Sequence, residues 1–146
     1  MDQRERAIQL AISFLGKPYI WGGDDPIMGF DCSGLVVEIL QSVGILPKGD
    51  WTADQLRKHF IGREVSDPYS GCLLFRMSEA TEGGPSVAVH VEMCLDTMFC
   101  IGVSGGGRKV TSVADAIKYN AFVKFRPIKT RGRLLVFMDP FKGVSP

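Results

Sequence analysis

Asp31-Cys32-Ser33-Gly34 delivers a thiol to the start of an apolar helix, and Val87-Ala88-Val89-His90-Val91 sets an imidazole into a β-branched strand. A thiol and an imidazole together make a nucleophile with its own base: sulfur attacks a carbonyl, and the ring takes the thiol proton and returns it to the leaving group. Behind Cys32, Leu35, Val36, Ile39, Leu40 and Val43 recur at helical spacing, and Gly44 supplies a stop. Asp31 is a good N-cap residue, so Cys32 falls in the first turn, where unpaired N–H groups and the positive end of the helix dipole favour thiolate. A cysteine needed only for packing would sit better among the leucines one turn later. Of the two histidines, His59 falls at the end of an amphipathic surface helix, where solvent or the helix terminus accounts for it. His90 is either a core histidine satisfied by hydrogen bonds or the base.

The elements that would position these groups divide into two halves. Asp2 to Leu15 predicts a first helix with Ala7, Ile8, Ala11, Phe14 and Leu15 on one face, ended by Gly16 and Pro18. A glycine-rich loop follows, then the Cys32 helix. Thr52 to Phe60 predicts a short third helix, with Trp51 placed as a hydrophobic staple. From Cys72 the period changes. Cys72–Met77, Val87–Leu95, Met98–Val103 and Ala121–Arg126 are strand-like, Val113–Tyr119 predicts a late helix, and Leu134–Met138 a last strand. Glu79–Pro85 and Ser104–Lys109 are the loops between. Helices first and an antiparallel sheet second give an α+β fold in one domain spanning residues 1–146.

With 146 residues, 45% apolar and 23% charged, the chain suits one packed domain. A net charge of +1 argues against a polyanion-binding surface, and so against nucleic acid as a partner. No apolar run approaches the ~20 residues of a membrane span. Cys32, Cys72, Cys94 and Cys100 form no Cys-x-x-Cys pair and no zinc-ligand spacing with either histidine, so no metal is expected, and amide hydrolysis by a thiol and an imidazole calls for no organic cofactor. Cys72, Cys94 and Cys100 lie in apolar strands, and three free buried thiols fit a reducing compartment. Ser104-Gly105-Gly106-Gly107-Arg108-Lys109 is not a phosphate loop, because Val110-Thr111 follows the lysine and the glycine spacing is wrong.

Gly16-Lys17-Pro18-Tyr19-Ile20-Trp21-Gly22-Gly23, then Phe30-Asp31-Cys32-Ser33-Gly34-Leu35-Val36, closely resembles the N-terminal half of the NlpC/P60 cell-wall peptidases. The resemblance runs on through Gly44-Ile45-Leu46-Pro47 and Gly71-Cys72-Leu73-Leu74-Phe75 to His90-Val91. It implies a papain-like fold, the nucleophile helix packed on an antiparallel sheet, with Cys32 and His90 as the catalytic pair. It also implies a peptidoglycan stem peptide as substrate, cut between D-glutamate and the diamino acid through a thioester. Tyr19, Asp31 and Ser33 then take the substrate-recognition positions: the Asp31 carboxylate suits the free amine of an L-Ala terminus, and the Tyr19 hydroxyl suits the D-glutamyl portion. Trp21 is expected as a cleft wall or core aromatic. The stretch from Ser104 to Pro127 more softly resembles short variants carried by phages and prophages.

Two positions depart from the family. Cys72 stands where relatives carry aspartate after the glycine, which bears on the local turn. Gly102 stands where relatives carry the His, Asn or Gln that orients the base. The expected substitutes, in order, are a backbone carbonyl, Ser104 on the same strand face, and Glu92, two residues after His90. The departure leaves open an alternative: a phage structural or binding domain of the same fold with reduced or lost turnover, or a related amidase or acyltransferase. The charged N-terminus reads as an amphipathic helix and not a signal core. Synthesis in the cytoplasm is therefore expected, with the wall or its fragments reached after lysis or in a phage particle.

Overall fold

Helical periodicity accounts for the first half of the chain in the computed structural model, which describes residues 1–25, 29–79, 84, 86–104 and 108–143. Helix α1 is Gln3–Ser13, with the Asp2 carboxylate accepting the Glu5 N–H at 2.8 Å as its cap. It ends two residues earlier than the apolar pattern predicts, because the Phe14 N–H turns back to the Ala11 carbonyl and Gly16 adopts a φ of 85°. A two-residue ribbon, β1 (Asp24–Asp25) with β2 (Gly29–Phe30), precedes helix α2, Cys32–Ser42. Helix α2 buries Leu35, Val36, Val37, Ile39 and Leu40. Helix α3, Ala53–His59, opens on a full capping box between Thr52 and Gln55. His59 closes that helix exposed to solvent, its ring edge-on to Trp51 and Phe60.

The second half supplies β3 (Glu64–Val65), β4 (Leu73–Met77), β5 (Ala88–Cys94), β6 (Phe99–Ser104), α4 (Val113–Tyr119), β7 (Phe122–Pro127) and β8 (Leu135–Met138), with a 3-10 turn at Ile128–Thr130. Strands β4 to β7 form an antiparallel meander. Strand β8 then returns to insert between β3 and β4, giving the order β3-β8-β4-β5-β6-β7. The α+β prediction holds, while the paired β1–β2 ribbon and β3 are elements too short to carry a period. The predicted loops include residues 80–83, 85 and 105–107, which lie outside the described residues.

The two sheet faces have different tasks. Leu73, Phe75, Val91, Met93, Ile101 and Val103 join the helices in the main core. Cys72, Leu74, Cys94 and Cys100 form a smaller cluster with Ile128 on the other side. All four cysteines are free, and these three are buried. The Gly71-Cys72 departure leaves the turn intact: Gly71 takes a φ of 91°, and the Cys72 N–H reaches the Tyr69 carbonyl at 3.1 Å. Among the described residues no helix is long and apolar enough to cross a membrane.

Candidate active site

The segment before the nucleophile is laid along the sheet edge by its backbone. Val123 N–H bonds the Lys17 carbonyl at 2.8 Å, Tyr19 N–H the Ala121 carbonyl at 2.8 Å, and Trp21 N–H the Val110 carbonyl at 2.7 Å. The chain then crosses the first turn of α2 in backbone contact, with the Asp31 N–H on the Gly23 carbonyl at 2.8 Å. A Cβ on Gly34 would run into that same Gly23 carbonyl, and a Cβ on Gly23 would lie 2.6 Å from the Gly29 oxygen. The glycines of the two sequence blocks are thus one requirement, the close approach of loop to helix.

Asp31 has the extended backbone of an N-cap, and its Oδ1 accepts the Gly34 N–H at 2.6 Å. Cys32 is therefore the first residue of α2, half-buried, at an end whose N–H groups lack intrahelical partners. The Ser33 hydroxyl donates to Asp31 Oδ1 at 3.3 Å. Tyr19 is buried beside this turn; its burial, then the negative charges of Cys32 and Asp31, push the phenol up to about 12, so it stays a neutral donor. The three predicted recognition residues therefore surround Cys32. Asp31 and Ser33 also line an open groove of about 280 Å³ with Trp51 and a second carboxylate, Asp50. Trp21 is half-exposed beneath the Arg108 guanidinium and so is not a core aromatic.

The base comes from β5. A bulge between Arg76 and Met77 of the β4–β5 ladder leaves Arg76 opposite His90. The start of β5 is tied to α3 through the Ala88 N–H on Asp54 Oδ1 at 2.8 Å. His90 is 8% exposed. Burial pulls its pKa down, but the polar contact and negative charge of the neighbouring Cys32 and Glu92 side chains outweigh that and raise it to about 9. Cys32 and His90, predicted from opposite halves of the sequence, are thus neighbours.

The third position differs from the expected order. The group at His90 Nε2 is the carboxylate of Glu92, 3.3 Å away, with the N–H not lined up for a regular hydrogen bond. Among the described residues no backbone carbonyl is hydrogen-bonded to Nε2, and the Ser104 side chain lies outside the described part of the structure. Glu92 is fully buried, and its Oε2 also accepts from Arg131 Nε at 2.6 Å. Burial raises the Glu92 carboxyl, but His90 and then Arg131 hold it below its ordinary 4.5. Arg131 went unnoticed in the sequence because it sits after the 3-10 turn, in no motif. The usable signal was a pair: an acid two residues after the base, and a glycine where a side chain was due. Among the described residues no cluster of three or more His, Cys, Asp or Glu side chains is arranged to hold a metal.

Known proteins carry the same arrangement of sequence. A model of the NlpC/P60 family matches residues 16–127. The bifunctional muramidase/DL-endopeptidase CwlT of Bacillus subtilis is 47% identical over 49 residues, 33% of this chain and 15% of that protein. The gamma-D-glutamyl-L-lysine dipeptidyl-peptidase of Bacillus subtilis is 38% identical over 86 residues, 59% of this chain and 27% of that protein. The matches thus span well under a third of these curated relatives. Among solved structures, the NlpC/p60 domain of the peptidoglycan hydrolase SagA superposes with a TM-score of 0.63 at 25% identity, covering 91% of this chain and 96% of that one.

Proposed function

Because this chain belongs to the NlpC/P60 family, we propose that it is a cysteine peptidase of peptidoglycan stem peptides, cutting the amide between D-glutamate and the diamino acid. The observation that carries the reading is the pairing of Cys32, first residue of α2, with buried His90 on β5. His90 takes the thiol proton as sulfur adds to the carbonyl carbon. The oxyanion that forms is met by the Cys32 backbone N–H at the helix start. The C–N bond then breaks, the amine leaves with the proton from His90, and a thioester remains. Water, deprotonated by His90, attacks the thioester; the acid is released and the thiol regains its proton.

The recognition half of the reading rests on charge. Asp31 and Asp50 line one groove, walled by the residues on either side of Cys32 and not by Cys32 itself, and this pair of carboxylates suits the ammonium of an unblocked L-Ala terminus. Tyr19 offers a neutral hydroxyl for the D-glutamyl carboxylate. The names of the two relatives, a DL-endopeptidase and a gamma-D-glutamyl-L-lysine peptidase, support that choice of bond. The place of action is the cell wall or its released fragments. The test is mass spectrometry of purified stem peptides with a free L-Ala terminus, run beside muropeptides in which that amine is acylated, after incubation with the protein. The expected result is new fragments ending in D-glutamate, absent with Cys32→Ala. Stem peptides of both kinds left intact under conditions where the protein is folded would refute the reading.

A further inference from the structure

We propose that Glu92, braced by Arg131 and admitted by the glycine at 102, is the positioning residue that orients His90. In β5 and β6 the register pairs Met93 with Ile101 and Cys94 with Cys100, so one further step sets Glu92 opposite Gly102. A Cβ built on Gly102 would meet Glu92 Cγ, with Oε1 at 2.6 Å and Cδ at 2.9 Å. The Glu92 side chain therefore occupies the space into which a residue at 102 would project. The family's orienting side chain is replaced by one from the neighbouring strand.

The surroundings of that carboxylate point to the ring. Taking a carboxylate out of water is costly unless it is paired. Arg131 pairs Oε2 at 2.6 Å, and the same oxygen is 3.3 Å from His90 Nε2. Oε1 is buried with no hydrogen-bond partner, so Arg131 alone does not satisfy the group. A carboxylate there selects the tautomer with hydrogen on Nε2, leaving the other ring nitrogen to receive the Cys32 proton. It also differs in kind from a neutral orienter. A negative charge at Nε2 stabilises the imidazolium formed when the thiol gives up its proton, and so extends activity to higher pH. The other charged or titratable groups around the ring are Cys32 on α2, Arg76 opposite on β4, Cys100 beside Glu92 on β6, and Tyr19 and Asp31 next to Cys32.

The inference rests on the cysteine-peptidase reading, and its tests separate the two. Nitrogen-detected NMR of the His90 ring needs no substrate. The expected result in the unmodified protein is hydrogen on Nε2 in the neutral form, with titration well above an ordinary histidine; Glu92→Gln should lower that titration. A neutral ring protonated on the other nitrogen, or a titration unmoved by Glu92→Gln, would overturn the proposal whether or not any muropeptide is cut. With cleavage of a stem peptide bearing a free L-Ala terminus as readout, Glu92→Gly should lower kcat by about 10²-fold, and Glu92→Gln should move the alkaline limb of the pH profile downward. Gly102→His alone should be crowded and inactive. Glu92→Gly combined with Gly102→His, which moves the orienter back to β6, should recover at least about tenfold over Glu92→Gly, with the alkaline limb below that of the original protein. Unchanged kcat and pH profile in Glu92→Gln, with only the melting temperature lowered, would assign Glu92 to holding Arg131 and overturn the proposal.

Discussion

Arg131 donates to Glu92 through Nε at 2.6 Å, and the two side chains are 13% and 1% exposed. An ion pair this dry is costly to break from one side, since the partner is left charged and desolvated. Arg131→Met should therefore lower stability by about 3 kcal/mol. The sign of the pH dependence follows from Glu92. Its pKa is depressed in the folded state, so its contribution is present above the unfolded value near 4.5 and is lost as pH falls through the lower folded one. Without Arg131 the folded pKa rises, and part of that contribution disappears at every pH above 4.5. Urea melts of both proteins between pH 3 and 8 check this; parallel curves would count against it.

His90 acts in the opposite window. Its folded pKa, raised to about 9, means that the native state holds a proton which the unfolded state releases near 6.5. The contribution is full below 6.5 and is lost as pH rises through 9. The expected observation is a fall in stability between pH 6.5 and 9 that flattens in His90→Ala. A decline of the same size in that variant would place its source elsewhere.

Cys32 is the half-buried thiol among three fully buried ones. Burial raises all three, Cys100 to about 12. Brief treatment with iodoacetamide at pH 7 should therefore modify one site, Cys32, and abolish turnover with it. His90→Ala should slow that alkylation. Peptide mapping after labelling reads the result, and modification spread over several cysteines would contradict it.

Asp31 and Tyr19 provide a test of selectivity separate from chemistry. Asp31→Asn keeps a competent N-cap, so the helix start should survive and the melting temperature should barely move. Cleavage of peptides with a free L-Ala terminus should nevertheless fall by about tenfold or more, as expected for losing a charged hydrogen bond. The advantage of such peptides over N-acetylated ones should shrink. Tyr19→Phe should act in the same direction. Unchanged kcat/KM ratios in both variants would refute the recognition roles.

Asp139 anchors the opposite side of the molecule. Its Oδ2 accepts from Arg4 at 2.8 Å and from the Tyr69 hydroxyl at 2.7 Å, while Oδ1 takes the Phe141 N–H at 2.9 Å. This joins α1, the turn before β4 and the end of β8. Asp139→Ala should cost about 3 kcal/mol, or roughly 10 °C in melting temperature. Activity per folded molecule should be retained. Thermal melts alongside turnover at a low temperature would check both halves.

The parts of this fold legible in the sequence were those with a period or a cap. Asp31 announced the start of α2, Trp51 and Thr52 that of α3, and Val113–Tyr119 was predicted to the residue. Cys32 and His90 were readable because a thiol in a first helical turn and an imidazole in an apolar strand are both placements that packing alone does not favour. The return of β8 between β3 and β4 was not readable, since sheet order depends on non-local pairing. The placement of Glu92 against the His90 ring was not readable for the same reason. Along its own strand it is one acid among apolar residues, and only the β5–β6 register reveals that it fills the space above Gly102.

That shared space ties the histories of two positions together. A side chain at 102 and a glutamate at 92 exclude one another, so the two changes can accumulate in only one order, glycine at 102 before glutamate at 92. The route open to the backbone runs through glycine at both places, an intermediate that keeps thiol and imidazole but holds the ring loosely. Such a chain would be slow without being lost, and either strand could then restore its grip. On the proposed role of Glu92, glutamate at 92 and glycine at 102 should be found together among relatives, and substitutions at the two positions should change together.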